Sequence, residues 1–271
     1  MFKIVISLLS IAGSRGMVVN PLRIKSLNWM TNQFNSPNAE RIIDPVNDEP
    51  TNRSVIFFPA STVNRLPTEM YNDFLYSLAE KNIKIYVPNK NNIENLVNDV
   101  DDRNNEITVV AHSTAAVDAI RSCQTTDIVD NLILIDPLDT RGVNKNEDES
   151  SLLLNTINKL VILNSEKSND WKLLPVVLPI GVFALDENSI RLGENIVKET
   201  VYSETFGHFD ILDNTWANII HNTISKGSQD RNPLKLHKYR QWVADIINKA
   251  SSISSPTKAL KPESYVSKNY S

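Results

Sequence analysis

At 271 residues with 41% hydrophobic side chains, the chain is long enough to bury one substantial core, and a single domain with loose ends is expected. A formal net charge of −4 and the lack of any block of like charges leave no basic face for nucleic acid, so nucleic-acid binding is set aside. A single cysteine, Cys123, excludes an internal disulfide, and four scattered histidines offer no Cys/His spacing suited to zinc, so no metal is expected.

The chain opens with Lys3 and the apolar run "IVISLLSIAG", which is too short to span a bilayer, so no stable membrane span is expected. Two readings of it stand side by side. Residues 1–16 form a signal or targeting segment, since the run ends in small residues, or the run is a first β-strand. The first reading sends the protein to a plastid or the secretory route and makes Asn52, in "NRS", a glycosylation acceptor. The second leaves it cytoplasmic. Residues 17–250 then form the folded domain, and 251–271, polar, Ser/Pro/Lys-rich and without periodicity, form a disordered tail.

From residue 54 strands and helices alternate. "SVIFFPA" reads as a strand, and "TEMYNDFLYSLAEKN" as a helix with Met70, Phe74, Leu75, Leu78 and Ala79 on one face. "IKIYVPN" is a strand, "NNIENLVNDVDDRNN" a polar helix, "ITVVAHS" a strand and "TAAVDAIRSC" a helix. "NLILID" and "KLVILNS" are short apolar runs of the kind buried on both faces of a parallel sheet. "IVKETVYSET" is the last strand, and "HKYRQWVADIINKA" closes the domain as an amphipathic helix with Trp242, Ile246 and Ile247 inward. The alternation predicts an α/β fold with a mostly parallel central sheet and helices on both faces.

"Ala111-His112-Ser113-Thr114-Ala115" joins a buried strand to a helix. In α/β-hydrolases the nucleophilic serine occupies such a tight turn, flanked by small residues because the backbone is strained and neighbouring elements pass close. Here alanine fills both positions that glycine usually holds, in a chain with only 7 glycines, where average usage would give roughly 19. The plainer role for Ser113 is a helix N-cap, which carries equal weight on this pentapeptide alone. Thr114 supplies an N–H at the helix start, a natural donor to an oxyanion.

A nucleophilic serine needs a base and an acid, in the chain order Ser, acid, His. His208, in "TFGHFDILD", falls just past the last predicted strand, in a loop at the carboxyl edge of the sheet where ligands of open α/β folds bind. His221 and His237 lie in helical patterns and read as satisfied or solvated; His112, inside the elbow, points away from the nucleophile. The acid stays open. After "KLVILNS" only Asp170 is near, with Ser168 where an aspartate would be expected, whereas "LILIDPLDT" offers Asp136 and Asp139. Asp136 is also an ordinary Asp-Pro turn initiator.

Together these phrases resemble the chlorophyllase family of α/β-hydrolases. "AHSTAA" is similar to that family's Gly-His-Ser-Arg-Gly-Gly elbow, "IDPLD" to its Asp-Pro-Val-Asp-like turn, and "GHFDILD" to its Gly-His-Met-Asp-Met-Leu-Asp phrase. The likeness covers roughly residues 50 to 250. It implies that Asp136 is the triad acid and that the first oxyanion donor is the N–H of Ser61. The chain departs from the family at Pro59-Ala60, where the family has His-Gly, and at Thr114, where it has arginine.

The expected activity is therefore that of a serine carboxylester hydrolase with Ser113, His208 and Asp136 as triad and the N–H groups of Ser61 and Thr114 as oxyanion hole. No cofactor is implied. By resemblance the substrate is the phytyl ester of chlorophyll or a similar lipophilic small-molecule ester. The alternative expectation is a catalytically impaired hydrolase-fold protein that binds a lipid, a pigment or a protein partner, since losing one oxyanion donor costs about 10² to 10³ in kcat.

Overall fold

Consecutive residues of the second strand part to opposite sides of the sheet: Val55 and Phe57 enter one hydrophobic cluster, Ile56 and Phe58 the other. This is the period-two geometry of a strand covered on both faces. The same division runs through the neighbouring strands, with Val110, Ile133 and Val161 on one face and Val109, Leu132 and Leu160 on the other.

The computed structural model describes residues 41–47, 50–60, 66–88, 106–139, 152–165, 184–223 and 232–252, with 219–223 as backbone alone. Both readings of residues 1–16, the polar helix expected over 91–105, and residues 253–271 of the expected tail lie outside the described residues. The strands are β1 (Arg41–Ile43), β2 (Arg53–Phe58), β3 (Lys84–Val87), β4 (Glu106–His112), β5 (Asn131–Ile135), β6 (Leu152–Leu154), β7 (Lys159–Ser165), β8 (Ile190–Leu192) and β9 (Val197–Ser203). The helices are α1 (Asn72–Ala79), α2 (Ala116–Gln124), α3 (Asn214–Thr223) and α4 (Pro233–Ser251).

Seven strands form one sheet in the order β1-β3-β2-β4-β5-β7-β9. All its pairs are parallel except β1 with β3. The pairing of β6 with β8 makes a separate small ribbon. Neither β1 nor this ribbon was expected, because a three-residue strand is too short to display a period. The expected strand "SVIFFPA" stops at Phe58, since Pro59 has no N–H to continue the ladder. The expected helix over 68–82 starts as a 3₁₀ turn, Thr68–Tyr71, before α1. Its predicted apolar face is fully buried all the same.

Helices α1 and α4 cover the face that carries Val55 and Phe57, while α2 covers the other. The chain thus leaves adjacent strands β2 and β4 toward opposite faces. Such a divergence opens a crevice between two carboxyl ends, the usual ligand position in an open α/β sheet.

In α4 the inward stripe is Leu236, Tyr239, Arg240, Val243, Ala244, Ile247 and Ala250. Ile247 is buried as expected and Ile246 is partly so, but Trp242 is corrected: it is 36% exposed. It sits one step off the stripe, stacked on Tyr239 at a centroid distance of 5.9 Å. The stripe instead takes in Arg240, whose side chain is fully buried. Its Nη1 donates to the Leu212 carbonyl (2.7 Å) and its Nη2 to Asn214 Oδ1 (2.9 Å), with Asp73 Oδ2 at 3.1 Å. The helix runs through Ser251, one residue past the expected end of the domain, and that hydroxyl lies 3.0 Å from Thr108 Oγ1 on β4. Replacing Arg240 by methionine keeps the packing volume but strips the buried Leu212 carbonyl of its donor. Urea unfolding of Arg240→Met is expected to show a loss of about 1–3 kcal/mol.

Candidate active site

Strand β4 stays extended to its last residue, His112 (φ −108, ψ 133), and the chain then turns sharply with Ser113 at φ 60. This is left-handed backbone, which a residue with a Cβ adopts only when its surroundings hold it there. Two N–H groups hold it: those of Ala116 and Leu138 both donate to the Ser113 carbonyl, the latter at 3.0 Å. A 3₁₀ turn, Ser113–Ala115, then leads into α2. The alanines that replace glycine, Ala111 and Ala115, are buried within the α2-side core. Ser113 does not cap the helix; α2 begins at Ala115 without a side-chain cap. Its hydroxyl oxygen lies instead 2.7 Å from His208 Nε2.

His208 arrives on the loop after β9, and that loop is built from its own side chains. The Asp210 carboxylate accepts the Gly207 N–H (2.8 Å), while the Gly207 carbonyl accepts the Asp210 N–H (3.0 Å). Asp213 fastens the far end: its N–H donates to the Met70 carbonyl (2.7 Å) and its carboxylate accepts the Asp73 N–H (2.8 Å). Arg240 holds the Leu212 carbonyl from below. Every acid of "GHFDILD" therefore has a structural task that sets the height and direction of His208.

Asp136 ends the strand next to β4 and also has a positive φ, 44°. Its N–H donates to the Leu163 carbonyl (2.7 Å) and its Oδ1 accepts the Ser165 N–H. Its Oδ2 faces His208 Nδ1 at 3.7 Å, longer than the roughly 3.2 Å limit of a good hydrogen bond but within ion-pair range. When the Ser113 hydroxyl donates to Nε2, the remaining ring proton of His208 sits on Nδ1, on the side of Asp136.

Burial holds the His208 pKa well below its ordinary value, and the neighbouring His112 lowers it further. The imidazole is thus neutral near pH 7 and able to take a proton. His112 is turned away from the hydroxyl, as the sequence suggested. Its Nδ1 is 2.8 Å from the Tyr71 hydroxyl and its Nε2 is 3.0 Å from the His208 carbonyl.

Of the other sequence candidates, Thr114 sits on the 3₁₀ turn beside Ser113 and is buried. Ser61 and Asp170 lie outside the described residues. Asp139 follows Asp136 at the carboxyl edge, half-buried. His237 is exposed on α4, and His221 lies in the helical backbone of α3. Tyr71, Asp210, Asp213 and Arg240 were not singled out from sequence. Arg240 had a signal there, since it falls in register with Leu236, Val243 and Ile247. Among the described residues no group of His, Cys, Asp and Glu is disposed to hold a metal ion, and no helix is long and apolar enough to cross a membrane.

The seven-stranded, mostly parallel sheet with helices on both faces, and a strand–serine–helix elbow at its carboxyl edge, define an α/β-hydrolase fold. Among solved structures, a sugar hydrolase (YeeB) from Lactococcus lactis superposes with a TM-score of 0.52 at 11% identity, over 80% of this chain and 96% of that one. Est1E from Butyrivibrio proteoclasticus gives 0.47 at 10% identity, over 79% and 94%. XC6422 from Xanthomonas campestris, described as a serine hydrolase without a lid, gives 0.45 at 12%, over 77% and 88%. At such identities the likeness is one of fold. No protein-family model and no curated protein sequence matches the chain.

Two buried histidines with lowered pKa values make folding release protons. His112 falls from 6.5 to about 4, and His208 moves the same way. Between these values the unfolded chain binds more protons than the folded one, so stability is full above about pH 6.5 and falls as pH drops toward 4. Asp213, raised from 3.8 to about 6, acts in the opposite sense between those values but is one group against two and half-exposed. Thermal unfolding across pH 4 to 7.5 is expected to show Tm falling below pH 6.5.

Proposed function

We propose that the chain is a serine carboxylester hydrolase working through an acyl-enzyme. The observation that carries this reading is the 2.7 Å contact between Ser113 Oγ and His208 Nε2, made by a serine held at positive φ on the carboxyl edge of the sheet. Strained backbone of this kind concentrates at functional sites. In the proposed cycle His208 takes the Ser113 proton as the hydroxyl attacks the ester carbonyl, and Asp136 stabilises the imidazolium that forms. The N–H groups of Ser61 and Thr114 receive the oxyanion. His208 then returns the proton to the leaving alcohol, and water, activated the same way, releases the acid.

The substrate class we propose is a small lipophilic ester. Within it, the resemblance of "GHFDILD" and "IDPLD" to chlorophyllases points to the phytyl ester of chlorophyll, cleaved to chlorophyllide and phytol. A second reading, an impaired hydrolase-fold protein that binds a lipid or pigment, is favoured by the 3.7 Å gap between His208 and Asp136.

A fluorophosphonate probe separates the two. The wild type is expected to be labelled, Ser113→Ala not at all, and His208→Ala only at a small residual rate. Asp136→Asn is expected to lower the labelling rate by up to about 10⁴-fold. Because burial lowers the His208 pKa, the acid limb of the labelling rate should have its midpoint below about pH 6.5, the value of an ordinary histidine. Chlorophyll a and short p-nitrophenyl esters offered to the labelled enzyme then identify the ester; phytol release supports the finer assignment. A folded wild type that resists the probe favours the binding reading.

A further inference from the structure

We propose that His112 is a positioning residue: it ties the end of β2, where the oxyanion loop begins, to the main chain of His208 by a one-way line of hydrogen bonds that bypasses Ser113. The functional half of this proposal rests on the reading of Ser113 and His208 given above.

The line has four members, all buried: Ala60, Tyr71, His112 and His208. The Ala60 N–H donates to the Tyr71 hydroxyl oxygen at 3.1 Å. The Tyr71 oxygen lies 2.8 Å from His112 Nδ1, and His112 Nε2 lies 3.0 Å from the His208 carbonyl oxygen. The donors follow from chemistry. A carbonyl oxygen only accepts, so Nε2 of His112 carries the hydrogen. Burial pushes the His112 pKa down to about 4, so the ring is neutral and Nδ1 bears a lone pair. Tyr71 must then donate to Nδ1 while accepting from Ala60, a role its hydroxyl fills with one proton and one lone pair. The opposite tautomer would set a lone pair of Nε2 against the His208 carbonyl and a proton of Nδ1 against the tyrosine hydroxyl. A single arrangement satisfies every group.

The position of this line matters more than its strength. One end is the residue before Ser61, at a point where the Ala60 carbonyl also accepts the Leu66 N–H (2.8 Å) and so closes the base of the loop between them. The other end is the backbone of the histidine that touches Ser113. The two imidazoles lie with centroids 4.8 Å apart and planes tilted by 37°. The neutral ring of His112 therefore forms the floor beneath His208 without placing a second positive charge beside the imidazolium of the cycle.

The test uses the full chain with ¹⁵N-labelled histidine, Tyr71→Phe as the main variant, and ring ¹⁵N spectra near pH 7 together with probe-labelling rates. Phenylalanine keeps the edge contact with Phe57, whose ring centroid lies 5.0 Å away, so the core is retained. In the wild type His112 is expected as the Nε2–H tautomer. In Tyr71→Phe it is expected to become a mixture, to shift the ring resonances of His208, and to lower the maximal labelling rate about tenfold, the worth of one hydrogen bond, with the probe's half-saturation unchanged. His112→Gln, whose amide N–H can still reach the His208 carbonyl, is expected to recover more of that rate than His112→Leu. A wild-type His112 protonated on Nδ1, or a Tyr71→Phe protein whose His208 resonances do not move, overturns the proposal. A wild type that resists the probe while showing these shifts sinks the esterase reading and leaves the coupling standing on the resonances.

Discussion

The turn at Ser113 is the constraint on which the rest of the site depends. Strand β4 is hydrogen-bonded on both sides, to β2 and β5, so its last residue is fixed in direction. The next element, α2, has to begin at once on the opposite face from α1. Left-handed backbone at Ser113 meets both demands, at a cost of roughly 1–3 kcal/mol for a residue with a side chain. The neighbouring strand shares the burden. Asp136 ends β5 with positive φ, and two residues later Leu138 donates its N–H to the Ser113 carbonyl. Two adjacent strands thus finish in strained turns that are bonded to each other, and the hydroxyl and the carboxylate both stand on them.

His208 has a different kind of support. It follows β9, the outer strand of the sheet, most of whose residues are exposed or half-exposed. Nothing in that strand could aim a side chain with precision. The aim comes from acids and one buried guanidinium in the loop and on α4, and from His112 beneath. A hydrophobic clamp would leave the many N–H and C=O groups of a tight loop without partners, whereas carboxylates and an arginine satisfy them while holding the chain. The abundance of acids around the histidine is therefore architectural.

Much of this was legible in the sequence, for reasons that can be stated. "SVIFFPA", "ITVVAHS", "NLILID" and "KLVILNS" are β-rich runs buried on both faces, and their alternation with helical patterns leaves few arrangements open. Ser113 was visible because a small-residue turn between strand and helix is a local feature. His208 was visible because it follows the last strand beside a glycine. What stayed hidden depends on distance along the chain. Tyr71 meets His112 across 41 positions and Arg240 meets Leu212 across 28, and no period encodes such meetings. Trp242 was misplaced because bulk was allowed to outrank register, while the charged Arg240 holds the inward position.

The buried guanidinium also has a consequence in time. Arg240 belongs to α4, the final helix described, yet it fixes the carbonyl of Leu212 in the loop that carries His208. Tyr239 of the same helix reaches Ser165, whose N–H is bound by Asp136. As the chain leaves the ribosome, strands β2 to β7 can pair and the elbow can form while α4 is still inside the tunnel. The hydroxyl and imidazole acquire their final alignment only when this last helix docks, so the site matures at the end of synthesis, after the sheet beneath it is already in place.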